Sequence, residues 1–107
     1  MPVQVYISEQ TVTACLSGEL DHHCAKALRE EIDSTVARVR PGELILDFRD
    51  ITFMDSSGIG LVMGRYQLMQ QLGGELIVSK LSSSMARVMR LAGLDRLVKI
   101  EKEAKRV

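Results

Sequence analysis

The first part of the chain alternates between apolar and polar side chains. Apolar residues occupy every second position in two short runs, residues 3–7 and 11–17. A period of two is typical of strands with one buried face. Because only residues 8–10 separate the runs, the pattern predicts an antiparallel hairpin.

Farther along, the apolar spacing becomes helical in three segments. They carry Leu28, Ile32, Val36 and Val39; then Ile59, Val62, Met63, Tyr66 and Met69; then Met85, Val88, Met89 and Ala92. Glycine or proline often ends a helix, and the segments are followed by Pro41 and Gly42, by Gly73 and Gly74, and by Gly93. The pattern therefore predicts three helices. Asp21 is the expected cap of the first, and residues 82–84 that of the third.

Short apolar runs lie between and after the predicted helices. Residues 44–46 and 76–78 are continuously apolar, which is typical of strands buried on both faces, and we expect the first run at the centre of the sheet. Residues 97–100 are mostly apolar and predict the last strand of the chain. The charged segment 101–107 is expected to be solvated.

The resulting order, β-β-α-β-α-β-α-β, indicates the α/β fold class. Strands that alternate with helices form a mostly parallel sheet through right-handed crossovers, and the opening hairpin adds an antiparallel edge. A chain of 107 residues with 46% hydrophobic residues suits one compact core. We therefore expect a single domain over residues 1–107.

The charge balance narrows the class of partners. Lys plus Arg and Asp plus Glu both number 14, whereas nucleic-acid-binding domains usually carry a basic excess. No segment reaches the roughly 18 apolar residues of a membrane helix, and residues 1–5 lack the pattern of a signal peptide. We expect a cytoplasmic protein that contacts neither nucleic acid nor membrane, with Cys15 and Cys24 as reduced thiols.

One candidate site is the run between a predicted strand and the second helix. It consists of Asp55, Ser56, Ser57, Gly58, Ile59 and Gly60. A helix N-terminus has unpaired N–H groups and a partial positive charge, so it is capped by Asp or Ser, or binds an anion. By itself, the run is most simply interpreted as a cap. However, one residue is sufficient to cap a helix. The presence of two serines therefore weakens the interpretation that the run is only a cap.

The two glycines of this run leave two interpretations open. A glycine inside a helix costs about 1 kcal/mol relative to alanine. Gly58 and Gly60 provide either bare backbone for a close-fitting partner or space for helix-to-sheet packing. A phosphate on a serine here would add about −1.5 to −2 charges beside the positive helix end. Phosphorylation would then change the surface and leave the fold intact.

A second candidate site precedes the first helix. The carboxylates of Glu19 and Asp21 suit an Arg or Lys of a partner. His22, His23 and Cys24 are metal-binding types, but adjacent helix positions point in different directions and do not chelate one ion well. We predict no metal and no other cofactor. The chain has neither a G-x-S-x-G elbow around its serines nor a P-loop, so no enzymatic activity is predicted.

Taken together, these residues resemble the STAS domains, and within them the bacterial anti-sigma factor antagonists, most closely the sporulation type. The likeness is carried by residues 18–23, 53–60, 64–66, 73–75 and 92–94, and it extends over nearly the whole chain. It implies one STAS domain with its helices mainly on one side of the sheet.

The resemblance also implies a function in transcription regulation. The unphosphorylated form would bind an anti-sigma factor that is also a serine kinase, and a sigma factor would be released. That kinase would phosphorylate Ser56 and so end the binding, and a serine phosphatase would reverse the modification. The predicted partner-binding residues are Glu19, Asp21, His22, Asp55, Ser57, Gly58, Ile59 and Gly60.

Two alternatives stay open at this point. One is a stress-response type of antagonist, since such relatives share much of the pattern. The other is a ligand- or nucleotide-sensing STAS domain that holds a small anion at the helix start. No Lys or Arg lies between Arg49 and Arg65, which disfavours an anion site.

Overall fold

The structure is a computed structural model that describes residues 3–102. Its elements are β1 (Val3–Ser8), β2 (Thr11–Leu20), α1 (His22–Val39), β3 (Glu43–Met54), α2 (Ser56–Gln71), β4 (Glu75–Leu81), α3 (Ser83–Leu91) and β5 (Lys99–Lys102). This is the predicted order. A short 3-10 turn, Leu94–Arg96, separates α3 from β5.

The last strand differs from the prediction at both ends. It begins at Lys99, two residues after the predicted start, because the 3-10 turn before it ends at Arg96 and Leu97 closes that turn with a backbone bond to Leu94. It ends at Lys102, two residues after the predicted end, and Glu101 within it is exposed, as expected for the solvated segment. Residues 103–107 of that predicted tail lie outside the described residues.

The strands form one mixed sheet in the order β1-β2-β3-β4-β5. The first pair is antiparallel and the other three pairs are parallel, so the hairpin and the parallel sheet are both confirmed. The strand order follows the chain, and crossovers between parallel strands are right-handed. The three helices therefore lie on one face of the sheet, as the resemblance implied, and β3 is central as predicted.

The two faces of the sheet are buried to different degrees. On the helix-covered face, Val12, Leu44 and Val78 belong to the core and are at most 1% exposed. The opposite face holds side chains such as Ile45, which is half-buried, and Ile77, which is buried. Burial on both faces thus holds for β4 but only in part for β3.

The helix ends follow local sequence rules. Asp21, Asp55 and Ser82 are the N-caps of α1, α2 and α3. The first helix ends at Val39, because Arg40 adopts a left-handed conformation (φ 51°) before Pro41, which disfavours helical geometry in the preceding residue. No helix of residues 3–102 is both long and apolar enough to cross a membrane.

Candidate functional site

The two runs singled out from the sequence meet at one edge of the sheet. Strands β2 and β3 are parallel neighbours, and their last residues, Leu20 and Met54, lie opposite each other in the register. The caps Asp21 and Asp55 follow directly, and the backbone N–H of Asp55 donates to the carbonyl of Leu20 at 3.2 Å. Helices α1 and α2 therefore begin side by side.

We call this region the helix-start surface. It consists of Glu19, Asp21, His22, Asp55, Ser56, Ser57, Ile59 and Gly60. Four of these residues, including Glu19 and Ser56, are exposed, and the other four are partly buried. The structure thus brings together all but one of the predicted contact residues. The exception, Gly58, is buried.

The end of β2 is shaped by Gly18. This residue has a φ of +83°, a conformation that glycine adopts without strain. The pairing of β2 with β3 shifts register between Gly18 and Glu19. Such an irregularity redirects the side chains that follow it, and Glu19 is exposed just before the first helix.

The start of α1 is held by two hydrogen bonds to one carboxylate. Oδ1 of Asp21 accepts the backbone N–H of His23 at 3.0 Å and of Cys24 at 3.1 Å. Burial raises the pKa of Asp21, but the hydrogen bonds from Cys24 and His23 outweigh this effect and the pKa lies below its ordinary value. Asp21 is therefore a cap, as predicted.

The start of α2 has one bond of this kind. Oδ1 of Asp55 accepts the backbone N–H of Ser57 at 2.8 Å. Ser56 is the first helical residue and is exposed, and its hydroxyl makes no hydrogen bond to any residue between 3 and 102. Because Asp55 caps the helix, the Ser56 hydroxyl is not needed to stabilise the helix start, and its side chain is available to other molecules.

The two glycines of this run have different surroundings. A Cβ on Gly58 would lie 2.3 Å from Cγ and 2.6 Å from Sδ of Met54, and 3.2 Å from Leu20. A Cβ on Gly60 would meet nothing within 4 Å. Helix-to-sheet packing therefore explains Gly58, whereas Gly60 leaves bare backbone at the surface.

A buried ion pair beside this surface was missed by the sequence analysis. Nε of Arg65 lies 2.8 Å from Oδ1 of Asp33, which joins α2 to α1, and Arg65 is only 6% exposed. Burial lowers the pKa of Arg65 and raises that of Asp33, and in each group the partner's charge counteracts the shift. The available signal was that Arg65 follows Leu61 by four residues on an apolar helix face.

The ion pair borders a cavity of about 370 Å³ between the two helices. The cavity is lined by two residues of α1 and five of α2: Ala25 and Arg29, and Ser57, Gly60, Leu61, Gly64 and Arg65. The gap in basic residues before Arg65 therefore does not disfavour an anion site, because the fold brings Arg29 there from another helix.

A second, smaller groove lies next to the last residues of β3. It has a volume of about 170 Å³ and lies between the end of β3 and α3. Phe53 on one wall is 50% exposed and Val88 on the other is 43% exposed. Val88 is one of the apolar positions whose spacing predicted α3, but it is exposed, and the buried residues of this helix are Ala86 and Met89.

The metal-binding residue types at the start of α1 form no metal cluster. The rings of His22 and His23 lie against each other, with centroids 4.0 Å apart. Within residues 3–102, no group of three or more His, Cys, Asp or Glu side chains is arranged to hold a metal ion. Cys15 and Cys24 are free thiols, as expected.

The comparison with known proteins gives a consistent result. The model of the STAS domain family matches residues 2–106. The chain is 38% identical over 85 residues to an anti-sigma F factor antagonist of Paenibacillus polymyxa, covering 79% of this chain and 73% of that protein. It is 29% identical over 99 residues to an anti-sigma-B factor antagonist of Bacillus subtilis, covering 92% and 88%.

Solved structures agree with this similarity. The anti-sigma factor antagonist SpoIIAA in its unphosphorylated form superposes with a TM-score of 0.75 at 30% identity, covering 96% of this chain and 89% of that one. The Bacillus cell fate determinant SpoIIAA in its phosphorylated form gives a TM-score of 0.74 at 32% identity, covering 94% of this chain and 92% of that one. The similarity therefore extends over nearly all of the described residues, including the helix-start surface.

Proposed function

Since the chain belongs to the STAS domain family, we propose that it acts as an anti-sigma factor antagonist in the cytoplasm. Its unphosphorylated form binds an anti-sigma factor and thereby releases a sigma factor. We favour the sporulation type, to which SpoIIAA belongs. Relatives named for sigma F match at 38% and 34% identity, compared with 29% and 26% for relatives named for sigma B.

The observation that carries the proposed switch is the free hydroxyl of Ser56. Asp55 already caps α2 through its bond to the N–H of Ser57, and Ser56 is exposed at the first helical position. A kinase can reach this side chain without unfolding the helix. We assign Ser56 as the phosphorylated residue, with the anti-sigma factor as its serine kinase and a separate phosphatase that restores the unmodified form.

The effect of phosphate on Ser56 follows from its position. The positive end of α2 tolerates a nearby negative charge, so the fold is retained. The same charge adds to the carboxylates of Glu19, Asp21 and Asp55 on the helix-start surface. A partner that approaches this surface must then desolvate a dianion, and any acidic group it carries is repelled. Phosphorylation therefore ends binding.

The remaining residues of the surface supply the contacts. Glu19 and Asp21 offer carboxylates to an Arg or Lys of the partner, and His22 lies beside them. Ile59 offers a half-buried apolar side chain, and Gly60 exposes backbone. Gly58 acts from the interior, because it lets α2 pack closely on Met54 and Leu20 and so fixes the position of its neighbours.

The decisive experiment is phosphorylation with the cognate anti-sigma factor kinase and ATP, followed by peptide mass spectrometry. We expect one phosphate, on Ser56. The matched variants are Ser56→Ala, which should accept none, and Ser57→Ala, which should still be modified. Ser56→Asp should fold normally and bind the kinase about tenfold more weakly or worse. Phosphate on Ser57, or no phosphate at all, would contradict the assignment.

A further inference from the structure

The cavity between α1 and α2 contains the most unusual polar group of the described residues. Arg65 is 6% exposed, and a guanidinium carries five N–H donors. Its Nε lies 2.8 Å from Oδ1 of Asp33, yet neither atom is in a well-aligned hydrogen bond. Its Nη1 donates to the carbonyl of Leu61 only at 3.5 Å. The hydrogen-bonding capacity of this buried cation is therefore largely unused.

The charges around the cavity do not balance. Arg29 and Arg65 line it, and Asp33, whose side chain is 36% exposed, interacts with both of them. Two positive charges thus face one carboxylate. Because Arg65 is removed from water and Arg29 adds a second positive charge, an additional negative group in the cavity would be favourable.

The helix wall leaves room for a ligand. Ser57, Gly60 and Gly64 recur at helical spacing on the face of α2 that lines the cavity. A Cβ on Gly60 or Gly64 would meet nothing within 4 Å, so the missing side chains leave open space. The volume of about 370 Å³ lies at the small end of the range of about 300–1,000 Å³ seen for ligand pockets.

We propose that this cavity binds a small molecule through a phosphate or carboxylate group, which is held between Arg29 and Arg65. Arg65 lines the cavity from the interior, and a guanidinium is suited to bind two oxygen atoms of one anionic group. Arg29 closes the site from the solvent side, since it is exposed on α1. The remainder of the ligand lies along Gly60, Leu61 and Gly64. This proposal does not require phosphorylation of Ser56, although the cavity shares Ser57 and Gly60 with the helix-start surface.

Titration of the whole chain with inorganic phosphate and, separately, with acetate tests the site. Sodium chloride at matched ionic strength is the reference, and backbone amide shifts are the readout. We expect saturable shifts that are concentrated at Ser57, Gly60 and Gly64. Saturation with only one probe identifies the group that the site prefers. The proposal is overturned when neither probe saturates, or when the shifts spread over exposed basic residues.

Three variants separate a built site from general attraction. Arg29→Gln should weaken binding about tenfold or more, as expected for loss of a charge-assisted hydrogen bond. Lys26→Gln removes the same charge from the same helix, at an exposed position that does not line the cavity, and should leave binding unchanged. Gly64→Leu should fill the cavity and prevent binding while the helix is retained. Equal weakening by Arg29→Gln and Lys26→Gln, or unchanged binding by Gly64→Leu, would refute the site.

Discussion

Helices α1 and α2 begin in the same way, but the two helix starts serve different purposes. Each follows the last residue of one of two paired strands, and each is capped by an aspartate in an extended conformation. At α1, Oδ1 of Asp21 accepts two backbone N–H groups, whereas at α2 Oδ1 of Asp55 accepts one. The residue after the second cap is a serine whose hydroxyl is unused. The comparison shows that the aspartate stabilises the helix start and leaves the next position available for regulation.

At the start of α2, Gly58 packs closely against Met54 and Leu20. We expect the largest effect on stability when this packing is disturbed, and Gly58→Ala tests this. The added methyl group would overlap Met54, so that side chain must move. We expect a loss of about 1–3 kcal/mol in the free energy of unfolding, as for overpacking elsewhere. Chemical denaturation measures this loss, provided that the unfolding free energies of the variant and the wild type depend equally on denaturant concentration.

Gly60→Ala is the matched control for this variant. It lies in the same helix, but its Cβ has open space, so alanine should stabilise the domain by about 0.5–1 kcal/mol through helix propensity. Opposite signs for the two variants support packing as the role of Gly58. Equal losses would mean that both glycines are needed for the backbone conformation.

The caps themselves give the next largest effect. Asp55→Ala removes one hydrogen bond from the start of α2 and should lower the free energy of unfolding by about 1 kcal/mol. Asp21→Ala removes two hydrogen bonds and should lower it further. Thermal unfolding of the two variants at neutral pH shows which substitution causes the larger loss of stability. A larger loss for Asp55→Ala would reverse our comparison of the two starts.

Much of this construction was predictable because it depends on local sequence. The mostly parallel sheet follows from the alternation of strands and helices, and the cap of α1 follows from an aspartate before an apolar periodic segment. The position of Arg29 and Arg65 at one cavity was not predictable, because it depends on the packing of α1 against α2. Spacing alone also could not show which apolar residues of α3 are buried: Met89 is buried, whereas Val88 is 43% exposed.

The acid dependence of stability should also distinguish the first cap. The pKa of Asp21 is lowered in the folded protein, so its contribution is present above the ordinary value of 3.8 and is lost as the pH falls below it. Asp21→Asn keeps a capping oxygen but does not titrate. The advantage of the wild type over this variant should therefore shrink as the pH falls from neutral through 3.8. Parallel curves of unfolding free energy against pH would contradict the hydrogen bonds as the cause.

The smallest expected effect is that of Ser56→Ala on stability. Among residues 3–102 the Ser56 hydroxyl has no hydrogen-bond partner, and alanine is a better helix former than serine. The free energy of unfolding should therefore change by less than about 0.5 kcal/mol, and any change should be a gain. Denaturation of Ser56→Ala beside Asp55→Ala measures this directly. A loss of about 1 kcal/mol or more, the usual effect of removing a cap, would mean that Ser56 holds the helix start. Its hydroxyl could then be phosphorylated only by breaking a structural contact, and a switch that spares the fold would require another residue.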